Sequence, residues 1–219
     1  MVEITFVRHG QAQTQARDET SYDNLSNLGW DQAAWLADHF VDTGRGFDHV
    51  LSGTLNRQRD TALTLCKRLD MPLTQDARLN EMDYFGLSQS LQDTHAVDIP
   101  TSREAFVAHV PQVLSAWQNG EIHSHLESFD AFQRRVSEMI ALAEQLDGRV
   151  LLVTSGGIIS MAMRLLLRFE VKTHANILLQ IYNTSVHRYV KSGDTLALET
   201  FNAVPHLEHP TRQSARTYL

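Results

Sequence analysis

The hydrophobic and polar positions of this chain separate into short apolar runs and longer segments whose apolar residues recur at helical spacing. Short runs rich in β-branched and aromatic residues indicate buried strands, whereas recurrence every three or four residues indicates amphipathic helices. Strands that alternate with helices form a mostly parallel sheet covered by helices. The pattern therefore predicts an α/β fold, a three-layer α/β/α sandwich, with strands at residues 4–7, 47–52, 73–76, 150–154, 185–190 and 195–201.

Helical spacing covers the segments between most of these strands. The first helix has Ser26 as its expected N-cap and ends near Gly44, and the others cover about residues 55–69, 106–117, 129–146 and 156–166. Pro111 is expected to kink or split the helix that contains it. No strand pattern lies between residues 84 and 148. We therefore predict one domain, residues 1–219, with a helical cap inserted at residues 84–147.

Two segments lack any apolar periodicity. Residues 11–24 are polar and follow the first strand, so we expect a loop near the functional site. Residues 202–219 are polar and contain Pro205 and Pro210. This C-terminal tail is expected to be extended and packed on the surface, or partly disordered.

Composition and charge narrow the class of protein. The formal net charge of −7 argues against a nucleic-acid or anionic-membrane partner, although it leaves room for a local basic pocket. A single cysteine, Cys66, fits a reducing compartment. No apolar run approaches the roughly 18 residues of a transmembrane helix, and the N-terminus does not resemble a secretory signal. These features predict a cytoplasmic soluble protein, and they do not indicate its oligomeric state.

Three strand ends carry side chains suited to phosphate chemistry. The first strand ends at Arg8-His9-Gly10, the second leads from Ser52 to Arg57, and the fourth ends at Ser155-Gly156-Gly157. Glu81 follows the short third strand. Because ligands bind beyond the carboxyl ends of parallel strands, these groups are expected to converge. Arginines neutralise phosphoryl oxygens, an imidazole attacks phosphorus and a carboxylic acid protonates the leaving oxygen, so the set predicts a phosphoryl-transfer site.

The order of these motifs resembles that of the histidine phosphatase superfamily, also called the phosphoglycerate mutase-like family. The likeness covers most of the chain. It is carried by Arg8-His9-Gly10, Leu25-Ser26-x-x-Gly29-x-x-Gln32-Ala33, Ser52-x-x-Leu55-x-Arg57-x-Arg59-x-Thr61-Ala62, Leu79-x-Glu81, Glu127-Ser128-Phe129 and Asn183-x-Ser185-Val186.

The resemblance implies a role for each site residue. His9 is implied as the nucleophile that forms a phosphohistidine, Arg8 and Arg57 as phosphoryl ligands, and Glu81 as the proton donor. Asp83 lies close to Glu81 in sequence and is an alternative donor. No metal or other cofactor is implied, because arginines supply the positive charge. The expected partner is a small phosphorylated substrate.

One position departs from the family pattern. The family carries a second histidine in a Ser-His-Gly-Gly type of turn, and here the turn is Thr154-Ser155-Gly156-Gly157. Ser155 offers a neutral hydrogen bond in place of the charged one that a histidine would give. The neutral bond is about half as strong. Phosphate contacts are expected from Ser155, Gly156 and Gln15, the last standing where many members carry Asn. His174 or His187 could fill the missing corner.

Three functions remain compatible with the sequence. The preferred one is a phosphatase that hydrolyses a phosphomonoester through phosphohistidine, slowed by Ser155. The second is a pseudo-phosphatase that binds a phosphorylated ligand or partner without turnover. A phosphoglycerate mutase ranks last, because the fourth corner is changed and the cap is small.

Overall fold

The computed structural model describes residues 2–13 and 19–218. Fourteen helices and strands of these ranges position the site, and three short 3-10 turns join them. The strands are β1 (Glu3–Arg8), β2 (His49–Ser52), β3 (Thr74–Gln75), β4 (Arg149–Thr154), β5 (Val186–Ser192) and β6 (Thr195–Ala203). The helices are α1 (Glu19–Tyr22), α2 (Asn27–Asp42), α3 (Asn56–Leu69), α4 (Tyr84–His95), α5 (Arg103–Gln118), α6 (Phe129–Leu146), α7 (Gly156–Leu167) and α8 (Val171–Leu178).

The strands form a single mixed sheet in the order β3-β2-β4-β1-β5-β6. The four strands from β3 to β1 are mutually parallel, and β5 and β6 add an antiparallel edge. The predicted α/β class is confirmed. In the register of the sheet Arg8 lies opposite Thr154, and Ser52 lies opposite Val153. The carboxyl ends of β1, β2 and β4 therefore meet at one edge.

Alternate residues of the central strands pack on opposite faces of the sheet. Phe6 and Leu152 belong to a core that includes α5, α6 and α7, whereas Val7 and Val153 belong to a second core with α2 and α3. Side chains of successive strand residues point to opposite faces, so strands buried on both faces are apolar throughout. This double burial explains the unbroken apolar run from residue 150 to residue 153, and it gives three layers.

The segment between β3 and β4 holds three helices rather than the two that periodicity indicated. Helix α4 was missed because its sequence is polar, and its N-terminus is capped by Asp83, which accepts from the Gly86 amide at 2.9 Å. Helix α5 runs unsplit through Pro111. The predicted cap Ser26 is confirmed, because its side chain accepts from the Gly29 amide, and Ser128 caps α6 by accepting from the Ala131 amide.

Both aperiodic segments contain more structure than the sequence indicated. One turn of helix, α1, lies within the expected loop at residues 11–24. The tail forms two 3-10 turns and then packs inward, where the Thr217 carbonyl accepts from the Asn183 amide at 2.7 Å. Helix α8 was also not predicted. Across the described ranges, no helix has both the length and the apolar character needed to cross a lipid bilayer.

Candidate active site

His9 is fixed at the carboxyl end of β1 by backbone contacts. Its amide donates to the Thr154 carbonyl at 2.8 Å, and its side chain is buried. The next residue is tightly enclosed, since a Cβ on Gly10 would lie 2.3 Å from the Gly29 carbonyl oxygen. Only glycine fits at that position. The turn after β1 thus holds the imidazole against the end of β4.

The hydrogen bonding of His9 defines its tautomer. Nδ1 lies 2.7 Å from the Gly10 carbonyl oxygen, which can only accept, so Nδ1 carries the hydrogen and donates it. Nε2 is then left with a lone pair. Burial, followed by the charges of Arg57 and Arg8, lowers the pKa of His9 well below its usual range. The imidazole is therefore neutral at physiological pH, as a nucleophile must be.

Arg8 is the first of two buried cations beside His9. Its Nη1 donates to the Tyr218 carbonyl at 2.7 Å and to the Ile181 carbonyl. Burial lowers the pKa of Arg8, the Arg57 charge acts in the same direction, and Tyr22 and Glu81 oppose it. These mutual effects place both arginines, His9 and the Glu81 carboxyl group in one electrostatic cluster.

Arg57 stands in the first turn of α3 and is fully buried. The Asp23 carboxylate accepts from Nη1 of Arg57 at 2.9 Å and from the Asn56 amide at 2.9 Å. The Tyr22 ring lies 5.0 Å from the guanidinium carbon. A helix N-terminus and a guanidinium both attract anions, and here an internal carboxylate satisfies both.

Glu81 lies at the N-terminus of α7. One carboxylate oxygen accepts from the Gly157 amide at 3.0 Å and the other accepts from the Met82 amide at 3.0 Å. A Cβ on Gly157 would lie 2.0 Å from a Glu81 oxygen, so this contact requires glycine. Asp83 points elsewhere, because it caps α4 and accepts from the Ser124 hydroxyl at 2.8 Å. Geometry therefore favours Glu81 over Asp83 at the site.

Ser155 is fully buried at the start of α7 and faces α3. Its Oγ accepts from Nε2 of Gln58 at 2.7 Å, and the same nitrogen donates to the Leu79 carbonyl at 3.0 Å. Neither histidine that could have filled this corner does so. His174 bonds Ser160 at 2.9 Å, and His187 bonds Ser185 at 2.8 Å. The neighbour of Ser155 is Gln58, which the sequence did not single out.

A chain of hydrogen bonds joins the backbone of His9 to the C-terminal tail. Nδ2 of Asn183 donates to the His9 carbonyl at 3.2 Å, and the Thr217 hydroxyl donates to the Asn183 Oδ1 at 2.9 Å. Thr217 also receives a bond from Gln32 Nε2 at 3.0 Å. Two of these residues, Asn183 and Gln32, stand in motifs that the sequence singled out, whereas Thr217 had no sequence signal.

The structure brings together most of the residues that the sequence pointed to. Gly156 belongs to this set, because a Cβ there would lie 3.8 Å from Nε of Arg8. Gln15 lies outside the described residues. Within the described ranges, no group of three or more His, Cys, Asp or Glu side chains could hold a metal ion. The residues that sequence reasoning missed are Tyr22, Asp23, Gln58, Thr217 and Tyr218.

Comparisons with solved structures give the same fold. A phosphoserine phosphatase from Entamoeba histolytica, in complex with 3-phosphoglyceric acid, is 19% identical with a TM-score of 0.69, over 94% of this chain and 100% of that chain. A mycobacterial glucosyl-3-phosphoglycerate phosphatase is 25% identical with a TM-score of 0.62, over 93% of this chain and 99% of that chain. Its complex with VO3 is 24% identical with a TM-score of 0.66, over 93% of this chain and 100% of that chain.

A search of curated proteins finds no match. The profile of the histidine phosphatase superfamily (branch 1) matches residues 4–204, which is nearly the whole chain. The matched range contains Arg8, His9, Arg57, Glu81 and Ser155. The chain belongs to the histidine phosphatase superfamily.

Proposed function

We propose that this protein is a phosphatase that hydrolyses a small phosphomonoester through a phosphohistidine on His9. The observation that carries the proposal is the state of that side chain: a neutral imidazole, protonated on Nδ1, between two buried arginines. A nucleophile for phosphorus needs a free lone pair, and the phosphoryl group needs cations beside it. Phosphatase structures of the same fold bind 3-phosphoglyceric acid and VO3, which supports a small phosphorylated substrate.

The two chemical steps balance with the residues present. In the first, Nε2 of His9 bonds to phosphorus while the ester P–O bond breaks, and protonated Glu81 gives its proton to the leaving oxygen. In the second, water attacks phosphorus, the P–N bond breaks and the Glu81 carboxylate takes a proton from the water. Arg8 and Arg57 neutralise the phosphoryl oxygens in both steps. No step requires a metal.

In this proposal, residues 84–147 form the helical cap that selects the leaving group. The support comes from Phe85 in the first turn of α4, whose ring centroid lies 6.4 Å from that of Tyr22. Tyr22 in turn covers Arg57. The cap therefore reaches the mouth of the site. The C-terminal tail also contributes, through the Tyr218 carbonyl on Arg8.

The direct test measures phosphate release from p-nitrophenyl phosphate in the presence of EDTA. Wild type should release phosphate and His9→Ala should not. His174→Ala removes another buried imidazole, which bonds Ser160 and none of the reacting groups, and serves as the matched control for folding. Acid-labile phosphate should be trapped on wild type and on His174→Ala, and not on His9→Ala. Turnover that survives His9→Ala, or that EDTA abolishes, would contradict the proposal.

A second candidate, a pseudo-phosphatase that only binds phosphorylated ligands, is favoured by a specific observation. Both arginines already have internal acceptors, Asp23 on Arg57 and the Tyr218 carbonyl on Arg8. Binding of inorganic phosphate with no turnover, in wild type and His9→Ala alike, would identify this function. A phosphoglycerate mutase ranks below both; interconversion of phosphoglycerates without net phosphate release would identify it.

A further inference from the structure

Gln58 and Ser155 form a buried pair at the corner of the site where the family pattern has an imidazole. Both side chains are fully buried, although they come from α3 and α7. Their contact is short, at 2.7 Å between Nε2 and Oγ. A buried amide is costly unless its groups are bonded, so a glutamine held in this position calls for an explanation.

The surrounding acceptor settles the direction of each hydrogen bond. Nε2 of Gln58 lies 3.0 Å from the Leu79 carbonyl, and a carbonyl only accepts, so that atom is the amide nitrogen. The amide has two hydrogens: one goes to Leu79 and the other to Oγ of Ser155. The Leu79 carbonyl also accepts from the Thr154 hydroxyl at 2.5 Å. Ser155 is therefore compelled to accept from Gln58.

A hydroxyl that accepts still has its own hydrogen to donate. Among residues 2–13 and 19–218, no acceptor lies within hydrogen-bonding range of that hydrogen. Ser155 immediately follows Thr154, whose carbonyl holds the His9 amide, and precedes Gly156, which faces Arg8. A phosphoryl group on His9, neutralised by Arg8, would bring an acceptor beside these two neighbours of Ser155.

We propose that Gln58 is a positioning residue that orients the Ser155 hydroxyl to donate to the phosphoryl group on His9. The pair then replaces the missing imidazole with a neutral donor of fixed direction. Gly53 makes room for it, since a Cβ there would lie 1.8 Å from Oε1 of Gln58. This inference rests on the proposed phosphatase function, and it assigns the role of the family's second histidine to the Ser155 hydroxyl held by Gln58.

A double-mutant cycle tests the coupling. Ser155→Ala should lower kcat about 10–100-fold with little change in KM, because the donor acts mainly in the transition state. Gln58→Met keeps the length of the side chain but not its donor, and should lower kcat about 5–20-fold. The double variant should be no slower than Ser155→Ala, since Gln58 acts only through Ser155. Ser160→Ala, a buried serine on the same helix, is the matched control and should retain wild-type kcat.

Two results would overturn the inference. Ser155→Ala with wild-type kcat would show that its hydroxyl does not act on the phosphoryl group. If the loss in kcat of the double variant equals the product of the two single losses, Gln58 acts independently of Ser155 and has only a packing role. If wild type has no turnover that depends on His9, the phosphatase function fails. In that case the binding of orthovanadate, measured by calorimetry, tests the role of the pair. A Kd about 3–10-fold weaker in Ser155→Ala and in Gln58→Met would support the orientation of Ser155 by Gln58. An unchanged Kd would reject it.

A second pair of variants tests whether Gln58 fills the space of the imidazole. Ser155→His alone should be poorly active, because the amide of Gln58 stands 2.7 Å from Oγ of Ser155. Adding Gln58→Ala should raise kcat at least about tenfold and introduce a new ionisation near pH 6.5, the ordinary pKa of histidine. A purely structural role would not create this new limb of the pH profile. Equal activity of the single and double variants would contradict the inference.

Discussion

The two walls of the site are built in opposite ways. The arginine wall, Arg8 and Arg57, is charged, and two of its acceptors come from peripheral segments: the tail supplies the Tyr218 carbonyl and the segment before α2 supplies Asp23. The neutral corner, Gln58 and Ser155, has no charge and is bonded within the core beside β4. A ligand anion must therefore compete with internal acceptors at the first wall, but meets a fixed donor at the second.

This difference predicts where activity is most sensitive. Positive charge beside a transferring phosphoryl group contributes more than a neutral donor, and both charges lie on one wall. We expect the largest losses at the arginine wall and smaller losses at the groups that only orient it.

Arg57→Gln should produce the largest loss in kcat/KM, on the order of 10³–10⁵, the range found for arginines that stabilise phosphoryl transfer. The change keeps a polar side chain in α3 and removes the charge. Arg59→Gln, two residues along the same helix, is the matched control, because Arg59 is half-exposed and pairs with Asp60. Steady-state kinetics on p-nitrophenyl phosphate measure both. Similar losses in the two variants would mean that the charge of Arg57 has no special role.

Glu81→Gln should lower kcat by about 10²–10⁴, the range of a general acid. The loss should grow as the leaving alcohol becomes a poorer leaving group, because poor leaving groups need the proton most. A series of aryl and alkyl phosphates measures this dependence.

Asp83→Asn gives the control for Glu81, because the two carboxylates are close in sequence and differ in their contacts. Asparagine caps a helix about as well as aspartate does, because its side-chain oxygen can still accept from the Gly86 amide, so this substitution should leave both the free energy of unfolding and kcat nearly unchanged. If Asp83→Asn shows the dependence on the leaving group and Glu81→Gln does not, the proton donor has been assigned to the wrong carboxylate.

The sequence predicted those parts of the site that depend on short motifs at the ends of strands and helices. Arg8-His9-Gly10 ends a strand, Arg57 opens a helix, and the order of strands and helices brings both to one edge. Contacts between segments far apart in sequence had no such signal. Gln58 meets Ser155 97 residues away, and Tyr218 meets Arg8 210 residues away. A polar residue shows its partner only once the fold exists, because hydrogen bonds leave no periodic pattern.

Acid should destabilise the protein because several of its histidines, like the neutral corner, are buried in the folded state. Burial is the main cause that lowers the pKa of His174, His187 and His206, each to about 3. The unfolded chain binds these protons near pH 6.5 and the folded chain does not. Stability is therefore unaffected above about pH 6.5 and falls below it, by at most about 1.4 kcal/mol per pH unit for each histidine.

Urea unfolding at pH 7 and pH 5 measures this effect. Replacing one imidazole, as in His206→Gln, should make the fall in the free energy of unfolding shallower by at most about a quarter, because His9, whose pKa is also lowered well below its usual range, contributes to the same fall. His123→Gln changes an exposed histidine and should leave the slope unchanged. A slope that His206→Gln does not alter would show that this imidazole takes up its proton in the folded protein.

The smallest predicted effect tests whether the tail merely covers the site or orients it. Thr217→Val keeps the shape of the side chain and removes its hydroxyl bonds to Asn183 and Gln32. Each neutral bond contributes about 1 kcal/mol, so kcat/KM should fall about 3–10-fold as the backbone of His9 loosens. Thr211→Val, on an exposed 3-10 turn of the same tail, should retain wild-type kcat/KM.

The parameter that changes distinguishes the two roles of the tail. Loss of orientation at His9 lowers kcat, because the nucleophile is misplaced in the transition state, whereas loss of a mere cover raises KM alone. A fall in kcat with unchanged KM would show that the tail orients the reacting groups and so acts together with the arginine wall. An effect on KM only would confine that wall to Arg8 and Arg57 themselves, and the tail would then serve the binding of substrate rather than its reaction.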